Sequence, residues 1–177
     1  MPVKALISII GEDRTGLIAG IAGRLYDLGV NLGDTNFAVL GSAAEYTSVC
    51  ELPEGLTLNA IERDLRGLPL LASAAVSVTP FTYGMMHGPA ARITHKIEMA
   101  GLDSPGLIAR ISEAFGAFGA NIVRLNSERE AGADGLRYIT RIDVWIPAAK
   151  TSACLATVAN TAQQLSLTFN CQEVASD

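Results

Sequence analysis

The chain has 177 residues, of which 49% are apolar and only 18% charged. Thirteen Lys and Arg against eighteen Asp and Glu leave a net charge of −5, with no basic run, so the clustered positive footprint that direct nucleic-acid binding requires is missing. No run approaches the ~18 apolar residues of a membrane helix, and the low charge leaves apolar surface for an interface, implying a homo-oligomer with no membrane partner.

In chain order, Val3 to Ile10 alternates, with Val3, Ala5, Ile7 and Ile9 on one side, and predicts a first strand rather than a signal peptide. Leu17, Ile18, Ile21, Leu25 and Leu28 follow at helical spacing, ended by Gly29 in a left-handed conformation. Strands are expected over Asn36 to Leu40 and Ala44 to Leu52, a second helix over Thr57 to Leu65, and a last strand over Ala74 to Phe81. Tyr83 to Ala91 is uncharged, carries Gly and Pro, and reads as a linker. The order then repeats. A strand is expected over Arg92 to Ala100, and a helix carries Leu107, Ile108, Ile111, Phe115 and Phe118. Strands at Asn121 to Ser127 and Leu136 to Ile146 are turned by the Gly-rich EAGADG. A helix from about Ala149 to Leu165 and a strand at Leu167 to Val174 complete the copy. Ser104-Pro105 supplies a capping Ser followed by Pro at the first helical position.

Each half therefore reads βαββαβ. The expected fold class is α+β, with two ferredoxin-like modules at residues 1–82 and 92–177, each a four-stranded antiparallel sheet with two helices on one face. The repeat is written into the residues. Adding 90 to each number aligns Gly11–Asp34 with Gly101–Arg124 without a gap and gives nine identities in 24 positions. Among them are Asp13/Asp103, Gly16/Gly106, Leu17/Leu107, Gly29/Gly119 and Asn31/Asn121.

The polar phrase between first strand and first helix is the candidate site. A helix N-terminus there offers free backbone N–H groups and partial positive charge to a carboxylate. Gly16 and Gly106 let a ligand approach, and Asp13 and Asp103 supply the negative group that an ammonium needs. Asn31 and Asn121 open the next strand, expected beside or near the first, and offer both donor and acceptor. An amino acid would thus meet Thr15, Gly16 and Leu17 through its carboxylate, and Asp13 and Asn31 through its ammonium. Ser104, Pro105, Gly106, Leu107, Asp103 and Asn121 would act alike in the second copy. The competing reading makes both Asp residues plain helix caps.

These phrases resemble the ACT domain. Asp13-Arg14-Thr15-Gly16-Leu17 and Asp103-Ser104-Pro105-Gly106-Leu107 each depart from its Asp-Arg-Pro-Gly-Leu at one position, and Gly29-Val30-Asn31 and Gly119-Ala120-Asn121 complete the pattern. Two such modules without a catalytic domain are similar to the glycine cleavage system transcriptional repressor family. The resemblance implies a regulatory module that binds an amino acid at these loops, Arg14 included, often across a domain or subunit interface. Gene control would then have to pass through a regulator protein partner.

Two other classes compete. A protein–protein interaction module without a small ligand would use the same open sheet faces. An enzyme would need a nucleophile with a base, paired carboxylates or a metal cluster. Only two His occur, and His95 falls on the apolar side of its strand, so no catalytic residue is expected. Cys50, Cys154 and Cys171 lack metal-ligand spacing and suit a reducing cytoplasm, and no cofactor is implied.

Overall fold

The structure, a computed structural model, describes residues 3–132 and 135–175. The chain divides into two compact units, Met1–Tyr83 and Gly84–Asp177.

In the first unit the order is β1 (Val3–Glu12), α1 (Leu17–Asp27), β2 (Asn31–Leu40), β3 (Ala43–Leu52), α2 (Leu58–Arg66) and β4 (Ala75–Pro80). The second repeats it with β5 (His95–Gly101), α3 (Leu107–Gly116), β6 (Asn121–Gly132), β7 (Gly135–Trp145), α4 (Thr151–Gln164) and β8 (Thr168–Glu173). Each sheet is antiparallel throughout, in the orders β2-β3-β1-β4 and β6-β7-β5-β8. The chain is α+β, as the two periods in the sequence imply.

Period two on the strands and 3.6 on the helices meet in the core. Ala5, Ile7 and Ile9 of β1 pack with Tyr46 and Cys50 of β3, Ile21 and Leu25 of α1, and Ile61 and Leu65 of α2. Ile97, Met99, Ile111, Phe115, Ile142 and Val158 form the second core. Burying each of the large aliphatic side chains contributes about 1.5–3 kcal/mol. Ile18 was expected on the apolar stripe of α1, yet it is 45% exposed, because Leu17, Ile21 and Leu25 already fill that face.

Several boundaries move. β2 starts at Asn31, five residues before the alternation becomes legible at Asn36, because a register shift between Leu32 and Thr35 breaks the period there. β5 begins at His95 rather than Arg92, since Pro89–Ala91 forms a short 3-10 turn just before it. The EAGADG turn lies partly at Ala133 and Asp134, outside the described residues; β6 itself reaches Gly132.

Two of the glycine pairs kept by the repeat have separate causes. Gly11 and Gly101 sit where packing is close. A Cβ there would lie 2.9 Å from Cβ of Ala74 and 2.7 Å from Cδ2 of Leu167, respectively. Gly29 (φ 71°) and Gly119 (φ 69°) end α1 and α3 in the left-handed region, with Val30 N–H donating to Leu25 O at 3.0 Å and Ala120 N–H to Phe115 O at 3.2 Å. The outer edge of β4 is covered from α2: Arg66 Nη2 donates to Val76 O at 2.9 Å, and Val78 N–H donates to Glu62 Oε2 at 3.2 Å. Among the described residues, no helix is long and apolar enough to cross a membrane.

Candidate functional site

The two loops after β1 and β5 share one backbone design. Gly16 (φ 86°) and Gly106 (φ 83°) are the N-cap residues of α1 and α3, both left-handed, and neither helix receives a side-chain cap. A Cβ at either glycine would meet nothing within 4 Å, so the space above the backbone is open. Leu17 N–H bonds back to Arg14 O at 3.2 Å, and Leu107 N–H to Ser104 O at 3.4 Å. The N–H groups of Gly16, Ile18 and Ala19 have no acceptor among the described residues, and the same is true of Gly106, Ile108 and Ala109. Each loop therefore presents unsatisfied donors at a positive helix end.

Two expectations need correction. Asp13 and Asp103 do not cap, because the left-handed glycine starts each helix three residues later. Ser104-Pro105 does not open α3 either, for the same reason; Ser104 Oγ is buried without a hydrogen-bond partner among the described residues. Leu17 and Leu107 are core residues, 3% and 2% exposed, and their N–H groups are taken by the turn. The donors left for a carboxylate are those of the glycines and of the two residues after each Leu.

The Asn positions fall elsewhere. β2 pairs only with β3, which lies between it and β1. Asn31 opposes Glu51, and Glu51 opposes Lys4, whereas Asp13 follows Glu12 at the far end of β1. Nine strand positions at about 3.3 Å place Asp13 and Asn31 roughly 30 Å apart. One amino acid cannot touch both within one module, which overturns the expectation that the Asn strand lies beside the first.

Side chains around the two loops differ. In the first, Arg14 pairs with Glu12 at 2.5 Å, and Asp13 N–H donates to Ser42 O at 3.0 Å. Among the described residues the Asp13 carboxylate and the Asn31 amide have no partner, and Thr15, two residues after Asp13, is exposed. In the second, Arg129 of β6 reaches Asp103 Oδ2 from Nε at 3.0 Å and Nη2 at 2.6 Å. That contact raises the Arg129 pKa, first through the hydrogen bond and then through charge. Asn121 Nδ2 donates to Ala90 O at 2.8 Å, tying the 3-10 turn to the start of β6. The Arg129 clamp was missed in the sequence. The 90-residue offset sets Arg129 against Val39, and that comparison would have exposed it.

His95 is 5% exposed and its Nδ1 lies 2.9 Å from Thr94 Oγ1. Asp143 faces Arg124 at 3.4 Å. Among the described residues no group of three or more His, Cys, Asp or Glu could hold a metal ion. A hollow of about 550 Å³ beside β4, flanked by Arg66, Leu71 and Ser77, touches none of Asp13 to Leu17.

Comparison with known proteins supports this description. Residues 4–78 match the family model of the ACT domain. A UPF0237 protein of Streptococcus pneumoniae serotype 4 is 40% identical over 38 residues, 22% of this chain and 43% of that protein. A UPF0237 protein of Streptococcus mutans is 42% identical over 38 residues, again 22% of this chain and 43% of its own length. The chain thus spans under half the length of these curated relatives. Two crystal structures are similar along the whole chain. An unknown protein from Galdieria sulphuraria superposes with a TM-score of 0.75 at 18% identity, covering 99% of this chain and 100% of its own. A protein provisionally named a glycine cleavage system transcriptional repressor superposes at 0.70 with 12% identity, covering 99% of each. At these identities the likeness is one of fold. The first module thus matches the family model of the ACT domain, and the second repeats the same four-stranded fold.

Proposed function

We propose that this chain is a non-catalytic regulatory protein that binds a free amino acid at the strand–helix loop and acts through a protein partner. The observation that carries the reading is the loop of the first module. It combines open backbone donors at Gly16, Ile18 and Ala19 with an uncommitted carboxylate on Asp13. A zwitterion suits that pairing: its carboxylate takes the N–H groups and its ammonium takes Asp13. Asn31 serves a ligand only if that ligand is held elsewhere than on its own module. The name given to one structural neighbour favours control of glycine metabolism at the level of transcription. With a net charge of −5, such control runs through a partner protein rather than through direct contact with DNA.

A thermal-shift panel of the twenty protein amino acids tests the reading, since a ligand that binds only the native state raises its stability by mass action. The expected result is a concentration-dependent shift for one or a few small amino acids, reduced in Asp13→Asn. Losing a hydrogen bond to a charged group costs about 1.5–3 kcal/mol, or roughly ten- to hundredfold in affinity. A flat panel with a demonstrable protein partner would favour the plain interaction module. Tight, salt-sensitive binding to duplex DNA would overturn the partner-mediated route.

A further inference from the structure

The repeat preserves Asp and Asn in both modules, but the two copies have spent them differently. In the first, neither Asp13 nor Asn31 has a side-chain partner among the described residues. In the second, both counterparts are occupied from within: Asp103 by Arg129 at 2.6 and 3.0 Å, and Asn121 by the Ala90 carbonyl at 2.8 Å. Register against the central strands shows that the difference is a substitution and not a shift. Val39 opposes Ala44, which opposes Gly11, and Arg129 opposes Tyr138, which opposes Gly101. Gly11 and Gly101 are partners in the repeat, so a guanidinium in one module stands where an isopropyl group stands in the other.

We propose that the two modules are unequal, the first taking the amino acid's ammonium on Asp13 and the second holding Arg129 in the place of that ammonium, so that one chain has one tight site and one weaker one. This rests on the amino-acid reading above. Arg129 acts on the second loop as an intramolecular substitute: it neutralises Asp103 and sets a like charge beside any incoming ammonium. Both groups are solvated, with 65% and 42% of their side chains exposed, so the penalty is at the low end of what a unit charge at contact range produces. About a tenfold weaker second site is expected.

The experiment is calorimetry on the full chain with the amino acid that gives the largest shift in the twenty-member panel. One tight site per chain is expected, with a second about tenfold weaker; the tight site is weakened by Asp13→Asn and unchanged by Asp103→Asn. Arg129→Val, which copies the first module, should raise the number of tight sites to two; Arg129→Gln is the second variant, and Arg129 and Asp103 are exposed enough to leave the thermal midpoint unchanged. Val39→Arg should weaken the first site about tenfold. Two equal sites in the unaltered chain, or one site lost through Asp103→Asn, would overturn the inequality while leaving amino-acid binding intact. No binding by the unaltered chain or by Arg129→Val would overturn the amino-acid reading itself.

Discussion

Tyr46 and Cys50 sit four residues apart on the helix-facing side of β3, 1% and 0% exposed, and both carry a group that prefers water. The Tyr46 hydroxyl lies close to Ser48 and Thr35, but no geometrically sound hydrogen bond joins it to either, and Ser48 Oγ and Thr35 Oγ1 are paired with each other at 2.8 Å. Burial raises the Tyr46 pKa, and the two neighbouring hydroxyls oppose that shift. A buried hydroxyl without a partner costs about 1–3 kcal/mol. Tyr46→Phe should therefore leave stability unchanged or raise it by about 1 kcal/mol in urea unfolding; a loss above that would mean the hydroxyl is satisfied. Burial likewise pushes the Cys50 thiol from its ordinary 9.0 up to about 11. A raised folded-state pKa stabilises the fold below pH 9, and that contribution is lost as pH climbs toward 11. Urea unfolding from pH 8 to 11 should show a fall of up to about 2 kcal/mol from this group, smaller in Cys50→Ala. Of the three thiols, Cys171 alone is exposed and should be the one that Ellman's reagent titrates in the native chain at pH 8.

At the scale of elements, the short loops between strand and helix depend on one backbone feature each. Gly16 and Gly106 hold φ near +85° with open space around them, so an added Cβ meets no neighbour and only the dihedral is strained. Gly16→Ala and Gly106→Ala should each cost about 1–2 kcal/mol in unfolding free energy, and a smaller loss would show that the loop relaxes. Helix faces are tested by a pair on α1. Ile21→Ala should cost about 2–5 kcal/mol, whereas Ile18→Ala, on the 45% exposed position, should change stability by less than about 1 kcal/mol. The Glu62–Arg66 pair on α2 closes the outer edge of β4 with side-chain hydrogen bonds. That is a local defence of an edge strand against pairing with another chain. Replacing both by Ala should raise self-association, read by sedimentation velocity.

Across the whole molecule, a duplication kept the scaffold and let the surface drift. The glycines that pack closely or turn the chain survive in both copies, because no other residue fits those positions. Hairpin chemistry was free to change. In the second module, Arg141 bonds Glu98 at 3.0 Å and also pairs with Glu128 across the open sheet face. The first module carries Leu6, Ile10 and Leu40 on its corresponding face, the last two more than half exposed. Limited proteolysis tests whether the two units are separate folding bodies: first cleavage is expected between Tyr83 and Gly88, leaving two protected fragments, and scattered early cuts elsewhere would count against it.

The sequence by itself determined the duplication, the βαββαβ order and both cores. Those properties depend on local periodicity and on spacings that repeat without a gap. It also placed the loop, since a strand that ends in Gly and an acid ahead of an amphipathic helix is a short-range pattern. Tertiary structure decided what the polar residues of that loop do. Whether Asp13 caps a helix depends on the dihedrals of Gly16, which no side-chain pattern reveals. Whether Asn31 stands near Asp13 depends on strand order: β3 slots between β1 and β2, and antiparallel register sends Asn31 to the far end of the sheet. Arg129 meets Asp103 across 26 residues of chain because β6 folds back along the sheet to the loop. Strand order and register are long-range choices, made by which apolar faces can be buried together, and the charges on the opposite faces are carried to their partners by that decision.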